Sequence, residues 1–282
     1  MEPLVSVGIP TYNRPLSLAK CLDALLAQSY HNLEIIISDN ASTDQEVNRI
    51  IQQYTLMDFR IRAILQPVNI GGENNFSFVY NEAKGEYFMW MADDDYFEPN
   101  YIQTCVSFLQ NNSDYFHVSG LCKYYDGATL VDVTSFPTIG SNHPVFRVFH
   151  YFLYVRKNGI FYGVFRFHKK EKTPISNRIG SDWSFIGRQA YRGKLKVLDS
   201  TFYSRSLAGV SSNREAMVRR WKLNSWKKYA FELFAVKHVA LESFVEIKSS
   251  FLRFFLQVLL AIILTFKFLV NSVQKRFNPS YY

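Results

Sequence analysis

Three consecutive aspartates, Asp93, Asp94 and Asp95, follow the apolar run 86–92. Adjacent carboxylates at the end of a strand make a hard, oxygen-rich site, of the kind that Mg2+ or Mn2+ takes when it holds a phosphate. The three charges also repel one another, so without a cation or strong donors the cluster is unfavourable. An isolated Asp-Asp-Asp is equally a solvated turn, and the surrounding sequence has to decide between the two. Three more polar clusters stand at comparable places: Thr11-Tyr12-Asn13-Arg14, the run Asp39 to Asp44, and Pro67 to Asn75.

Each cluster follows a short apolar run. The runs begin at Leu4, Leu33, Arg60 and Glu86, 26–29 residues apart. Helix-like stretches separate them. Leu18, Leu22, Leu25 and Leu26 share a face of the first, with Pro15 near its start. Ser42 and Gln45 predict a capping box opening the second. The third is predicted from about Asn74 to Ala83. Strand and helix alternating at this spacing predict βαβ units and a largely parallel sheet, whose ligand sits beyond the C-terminal ends of the strands. All four clusters fall at that edge. Further along, 115–121 and 196–198 read as strands, 161–167 is aromatic, and Gly180 to Gly187 reads as a helix start.

The 282 residues are 48% hydrophobic, enough for one sizeable core with a smaller appendage. Three cysteines without a C-x-x-C pair fit a reducing compartment, and no signal peptide is read at the N-terminus. The six histidines show no metal-ligand spacing. The net charge of +8 is localised: residues 1–213 carry 20 basic and 20 acidic side chains, residues 214–282 carry 12 and 4. A neutral body with a basic tail excludes a whole-surface nucleic-acid binder and predicts a local contact with something anionic. Residues 214–250 lack Gly and Pro and read as helix, with Trp221, Trp226, Phe231 and Phe234 among basic residues. Residues 251–270 are almost wholly apolar, but only 13 residues separate Arg253 from Lys267. A span needs about 20 apolar residues. The segment is therefore a span with snorkelling ends, a helix lying in the membrane surface, or a helix buried in a dimer interface.

Val5 to Arg14, Glu34 to Asp44 and Trp90 to Tyr96 together resemble glycosyltransferase family 2. The resemblance covers about residues 4–110 and extends more loosely to 213. It implies an α/β, GT-A (Rossmann-like) fold, a mostly parallel sheet flanked by helices, here followed by a C-terminal helical membrane-associating segment. It also implies inverting transfer of a sugar from a nucleotide-sugar donor. On this resemblance Tyr12 stacks on the nucleobase against a wall shaped by Pro10 and Thr11. Asp39 accepts from the base N–H, Arg14 and Asn74 join the donor site, and Asp93 reaches the ribose. Asp94, assisted by Asp95, holds Mn2+ or Mg2+. Asp182 matches the catalytic aspartate, the base that takes the acceptor hydroxyl's proton. For Tyr12 the alternative is a packing aromatic, for Asp39 a helix N-cap or Asx turn, and for Asp182 a helix N-cap ahead of Trp183. Two positions depart from the family pattern: Ser181 replaces a glutamate, and Ser206 stands where relatives often have a metal-binding histidine. Either the metal then uses water there, or Arg205 takes over charge neutralisation, or metal binding is weak.

The expected organisation is 1–213 as the glycosyltransferase domain, 214–250 as a basic aromatic helical region, 251–273 as an apolar membrane-associating helix and 274–282 as a tail. The expected function is sugar transfer to a lipid-linked or saccharide acceptor in surface polysaccharide assembly (O-antigen or capsule type). The expected place is the cytoplasmic face of the inner membrane, on an anionic membrane surface, with no nucleic acid as partner. The alternatives are a catalytically inactive membrane scaffold and a nucleotidyltransferase. The second is disfavoured because 11–15 lacks the glycines of a triphosphate loop.

Overall fold

The computed structural model describes residues 2–134, 136–155, 157–167, 175–207 and 231–277, with 231–234 and 271–277 described in backbone alone. The first half alternates as predicted: β1 Val5–Thr11, α1 Pro15–Leu26, β2 Leu33–Asp39, α2 Gln45–Met57, β3 Ile61–Leu65, α3 Gly72–Glu82 and β4 Tyr87–Trp90. β1 pairs in parallel with β2 and with β4, and β2 with β3. The second half is mixed. It adds β5 Tyr96–Phe97, α4 Tyr101–Asn111, β6 Tyr115–Asp126, β7 Thr129–Thr134, α5 Pro144–Tyr154, a 3-10 turn Gly159–Tyr162, β8 Val164–Arg166, α6 Ser181–Arg192 and β9 Lys194–Ser206. The sheet runs β3-β2-β1-β4-β8-β6-β9-β5, with β7 on β6. Two helices follow, α7 Phe231–Ser243 and α8 Ser250–Phe277. α8 runs through residues 274–277 of the expected tail, and residues 214–230, with Trp221 and Trp226, and 278–282 lie outside the described residues.

Several local expectations shift. The capping box does not form. Asp44 caps α2, its carboxylate accepting from Glu46 N at 3.0 Å, a favourable place for negative charge at a helix start. Ser42 instead bonds Asp39 and accepts from Asn13 N at 2.8 Å. β9 is far longer than 196–198 because its polar residues are paired along β6 and β5, which composition does not reveal. The helix expected over 214–250 breaks at 244–249 without a Gly or Pro. Phe244 and Ile247 turn into the core there, Phe244 against Phe149 at 5.6 Å, so packing overrides helix propensity.

The core behind the C-terminal edge of the sheet is aromatic. Trp90, fully buried on β4, stacks on Phe161 at 4.8 Å and on Tyr80 at 5.5 Å, meets Phe88 and Phe185 edge-on, and donates to Phe76 O at 3.0 Å. It ties β4 to α3, the 3-10 turn and α6 through one side chain. Phe161, Phe165 and Phe167 are thereby packing residues. Gly8 lets α3 lie on β1: a Cβ there would meet Val79 Cγ2 at 2.7 Å. Trp90→Ala is expected to destabilise the fold by about 3–5 kcal/mol, measurable in urea denaturation.

Candidate active site

The parallel register sets the ends of β1, β2 and β4 side by side, with Thr11 opposite Asp39 and Gly8 opposite Trp90. The loops that leave them are laced together. Asn13, at φ 54°, accepts from Thr43 N and Asp44 N at 2.8 and 3.1 Å. Asn40 N donates to Thr11 O at 3.0 Å, and the Asn40 side chain bridges to Asn69 and Ile70 N. Asp39 is buried and accepts from Ser42 N at 3.1 Å, an Asx-type turn that leaves the carboxylate at the strand end. Tyr12 is 42% exposed, next in the chain to the buried Pro10 and Thr11. Asn74 is exposed and its amide turns back to Ile70 O at 2.7 Å, whereas its neighbour Asn75 is the buried one, paired with Ser38 at 2.6 and 2.9 Å.

The acidic triplet is not a solvated turn. Asp93 and Asp95 are buried and Asp94 is partly exposed. Thr11 Oγ1 donates to Asp93 Oδ2 at 2.8 Å. Arg14 Nη1 spans Asp93 at 3.1 Å and Asp94 at 2.7 Å. β5 pairs antiparallel with β9, Tyr96 opposite Ser204, and this register brings Arg205 to Asp95, Nε to Oδ1 at 3.4 Å. The guanidinium of Arg205 also lies over the Tyr162 ring, 4.6 Å from its centroid. Burial pushes the carboxyl of Asp93 up, and that of Asp95 up to about 7, against the pull of the two arginines. A cavity of about 590 Å³ opens here, lined among others by Arg14, Lys20, Asp94, Asp95 and Ser206.

Asp182 stands on the first turn of α6, whose cap is Gly180 at φ 80°. It is therefore not the cap. Asn158 Nδ2 donates to Asp182 Oδ2 at 3.0 Å, and Tyr151 OH donates to Asn158 Oδ1 at 2.8 Å. Burial pushes the Asp182 carboxyl up, while the Asn158 amide and the Trp183 N–H oppose the shift. Asp182 does not line the cavity. Its partner Asn158 precedes the 3-10 turn whose Tyr162 ring lies under Arg205, the residue that meets Asp95. The sequence did not single out Asn158, Tyr151 or Tyr162. Nothing in their spacing marks them, because only the tertiary approach of α5 and the 3-10 turn brings them to α6 and β9.

The donor set fits a divalent cation. Asp95 Oδ2 is buried without a partner, Asp94 faces the cavity, and both are hard oxygens. Among the described residues no group of three His, Cys, Asp or Glu could hold a metal ion, so a cation here would draw its remaining ligands from phosphate and water. Arg14→Met is expected to lower Tm by a few degrees, and by more at pH 8 than at pH 5. Removing the guanidinium raises the Asp93 carboxyl further, so ionising it at higher pH costs more. Thermal melts at the two pH values check this.

The chain matches the family model described as glycosyl transferase family 2 over residues 6–173. Among curated relatives, glycosyltransferase GlyG of Streptococcus pneumoniae serotype 4 is 34% identical over 110 residues, 39% of this chain and 36% of that protein. The GalNAc(5)-diNAcBac-PP-undecaprenol beta-1,3-glucosyltransferase of Campylobacter jejuni is 28% identical over 202 residues, 71% of this chain and 62% of that protein. The chain spans only 12–37% of the length of two further curated relatives. Among solved structures, S. aureus TarS 1-349 in complex with UDP-GlcNAc aligns with a TM-score of 0.57 at 16% identity, over 84% of this chain and 71% of that one, a likeness of fold. With the family model covering more than half of its residues, the chain belongs to glycosyl transferase family 2, a family of transferase enzymes.

Proposed function

We propose that the chain transfers a sugar from a nucleotide-sugar donor, with inversion, to a lipid-linked saccharide acceptor in surface polysaccharide assembly. The observation that carries this is the meeting of Asp93, Asp94 and Asp95 with Arg14 and Arg205 at the C-terminal edge of the sheet, with Asp182 held by Asn158 next to the turn whose Tyr162 lies under Arg205. The Campylobacter jejuni relative, whose name carries PP-undecaprenol, supports a lipid-linked acceptor here. The division into a transferase body over 1–213 and a membrane-associating C-terminal part belongs to this reading. So does a site at the cytoplasmic face of the inner membrane. The basic excess of 214–282 and one described helix long and apolar enough to cross a membrane support it.

In this reading the exposed Tyr12 ring stacks on the base, Asp39 accepts from a base N–H, and Asp93 receives the ribose hydroxyls. Pro10 and Thr11 shape the wall, and Asn74 lies at the margin, able to turn its amide from Ile70 O to the donor. Asp94 and Asp95 would hold Mn2+ or Mg2+. Such a cation supplies neutralisation of the charge that grows on the leaving diphosphate. Arg14 and Arg205 supply fixed positive charge at the same place. Asn158 anchors one oxygen of Asp182. The carboxylate then takes the acceptor hydroxyl's proton as the hydroxyl oxygen bonds to the anomeric carbon, and the bond from that carbon to the diphosphate oxygen breaks on the opposite face.

Offered a panel of nucleotide sugars with Mg2+ or Mn2+, the protein is expected to bind and turn over one of them. Asp182→Asn should keep donor binding and lose transfer by about 100- to 10,000-fold; undiminished transfer would place the base elsewhere. Asp94→Ala should abolish cation-dependent turnover while the thermal melt stays near wild type. Cation affinity should weaken as pH falls through about 7, because the proton taken up by Asp95 competes with the ion. The acid limb of the pH–rate profile should lie above the ordinary carboxylate range, as burial raises Asp182. Asn158→Ala should move that limb higher still, since it removes a donor to the ionised form.

A further inference from the structure

α8 has two faces of different kinds. Leu256, Leu260 and Leu264, four residues apart, are buried against the body. The polar side chains of this stretch are stitched to the body as well. Lys267 Nζ donates to the Phe152 and Val155 carbonyls at the C-terminal end of α5, and Gln257 Nε2 donates to Leu241 O of α7 at 2.7 Å. Arg253, by helical position, lies on this same side. Lys267 is thereby held by the body rather than placed to snorkel from a bilayer-spanning helix. The opposite side is exposed and uncharged: Phe251, Phe254, Val258, Ile262, Phe266 and Leu269. The linear sequence limits the charge-free run to the 13 residues between Arg253 and Lys267. On the outer face it extends from Phe251 to Leu269, about 27 Å at 1.5 Å per residue.

We propose that α8 lies flat in the headgroup and acyl boundary of an anionic bilayer, with its outer face in lipid and its inner face on the body. This rests on the membrane reading above and decides its geometry. A span would carry the end of α5 and the face of α7, which hydrogen-bond to α8 along its length, into hydrocarbon. A surface helix leaves them where they are. Charge selects lipid over a second copy of the chain. The described segment 231–277 carries six basic against three acidic side chains, so a symmetric pairing would set one positive segment against another. Anionic headgroups complement it. On the neighbouring α5, Leu153 and Tyr154 are exposed within a turn of the carbonyls that Lys267 holds, which extends the apolar surface beyond α8.

The test uses the full chain with single cysteines at Phe251, Val258, Ile262 and Leu269, each spin-labelled. These four lie close to one line along the outer face, and the native Cys21, Cys105 and Cys122 are buried. Label depth is read from oxygen and nickel-chelate accessibility on vesicles of phosphatidylethanolamine and phosphatidylglycerol. The expected result is one shared depth for all four, about 5–10 Å below the headgroups. Two shallow ends, Phe251 and Leu269, around two deep central labels would mean a span: membrane contact would stand and the in-plane geometry would fall. Four labels unchanged by vesicles would overturn both, and labels immobilised by raised protein concentration without lipid would assign the face to a second copy.

Discussion

The structure turns on how three adjacent carboxylates survive at the edge of a buried sheet. Asp93 and Asp95 are out of water, where like charges repel most strongly. Two arginines from distant parts of the chain offset them. Arg14 arrives because β1 is parallel to β4, so the loop after β1 overhangs the end of β4. Arg205 arrives because β9 runs antiparallel to β5, with Tyr96 opposite Ser204. Both strand pairings must hold for the triplet to be tolerated. The offset is incomplete, since Asp95 keeps one buried oxygen without a partner and a raised carboxyl pKa. That residual mismatch is the feature expected of a site kept for a charged ligand rather than for stability.

The second constraint is the aromatic nucleus. Trp90 leads directly into the triplet, and its ring is held by residues of α3, the 3-10 turn and α6. The same turn presents Asn158 to Asp182 and Tyr162 to Arg205. Packing behind the site and hydrogen bonding within it therefore share elements. This is how a rigid first half and an irregular second half come to act on one constellation.

Much of this was legible in the residues. Runs of apolar residues 26–29 apart specified the βαβ half, because a parallel strand buried on both faces must be continuously apolar. The motifs carrying Asp39, the triplet and Asp182 were likewise visible in order. The irregular half was not. β9 is a long strand whose polar residues pair along both edges, and polar composition hides such a strand. The break at 244–249 has no Gly or Pro to announce it, since Phe244 and Ile247 are drawn out of helix by burial.

By itself the sequence determined which residues could do chemistry and the end of the sheet at which they would gather, because strand periodicity and loop position are local properties. Tertiary structure decided their partners. It gave Asp94 to Arg14 and Asp95 to Arg205, set Asn158 and Tyr151 behind Asp182, and turned Lys267 inward to the end of α5. Those are contacts between residues up to 115 positions apart. They arise from strand register and helix packing, which no local pattern of residue types encodes.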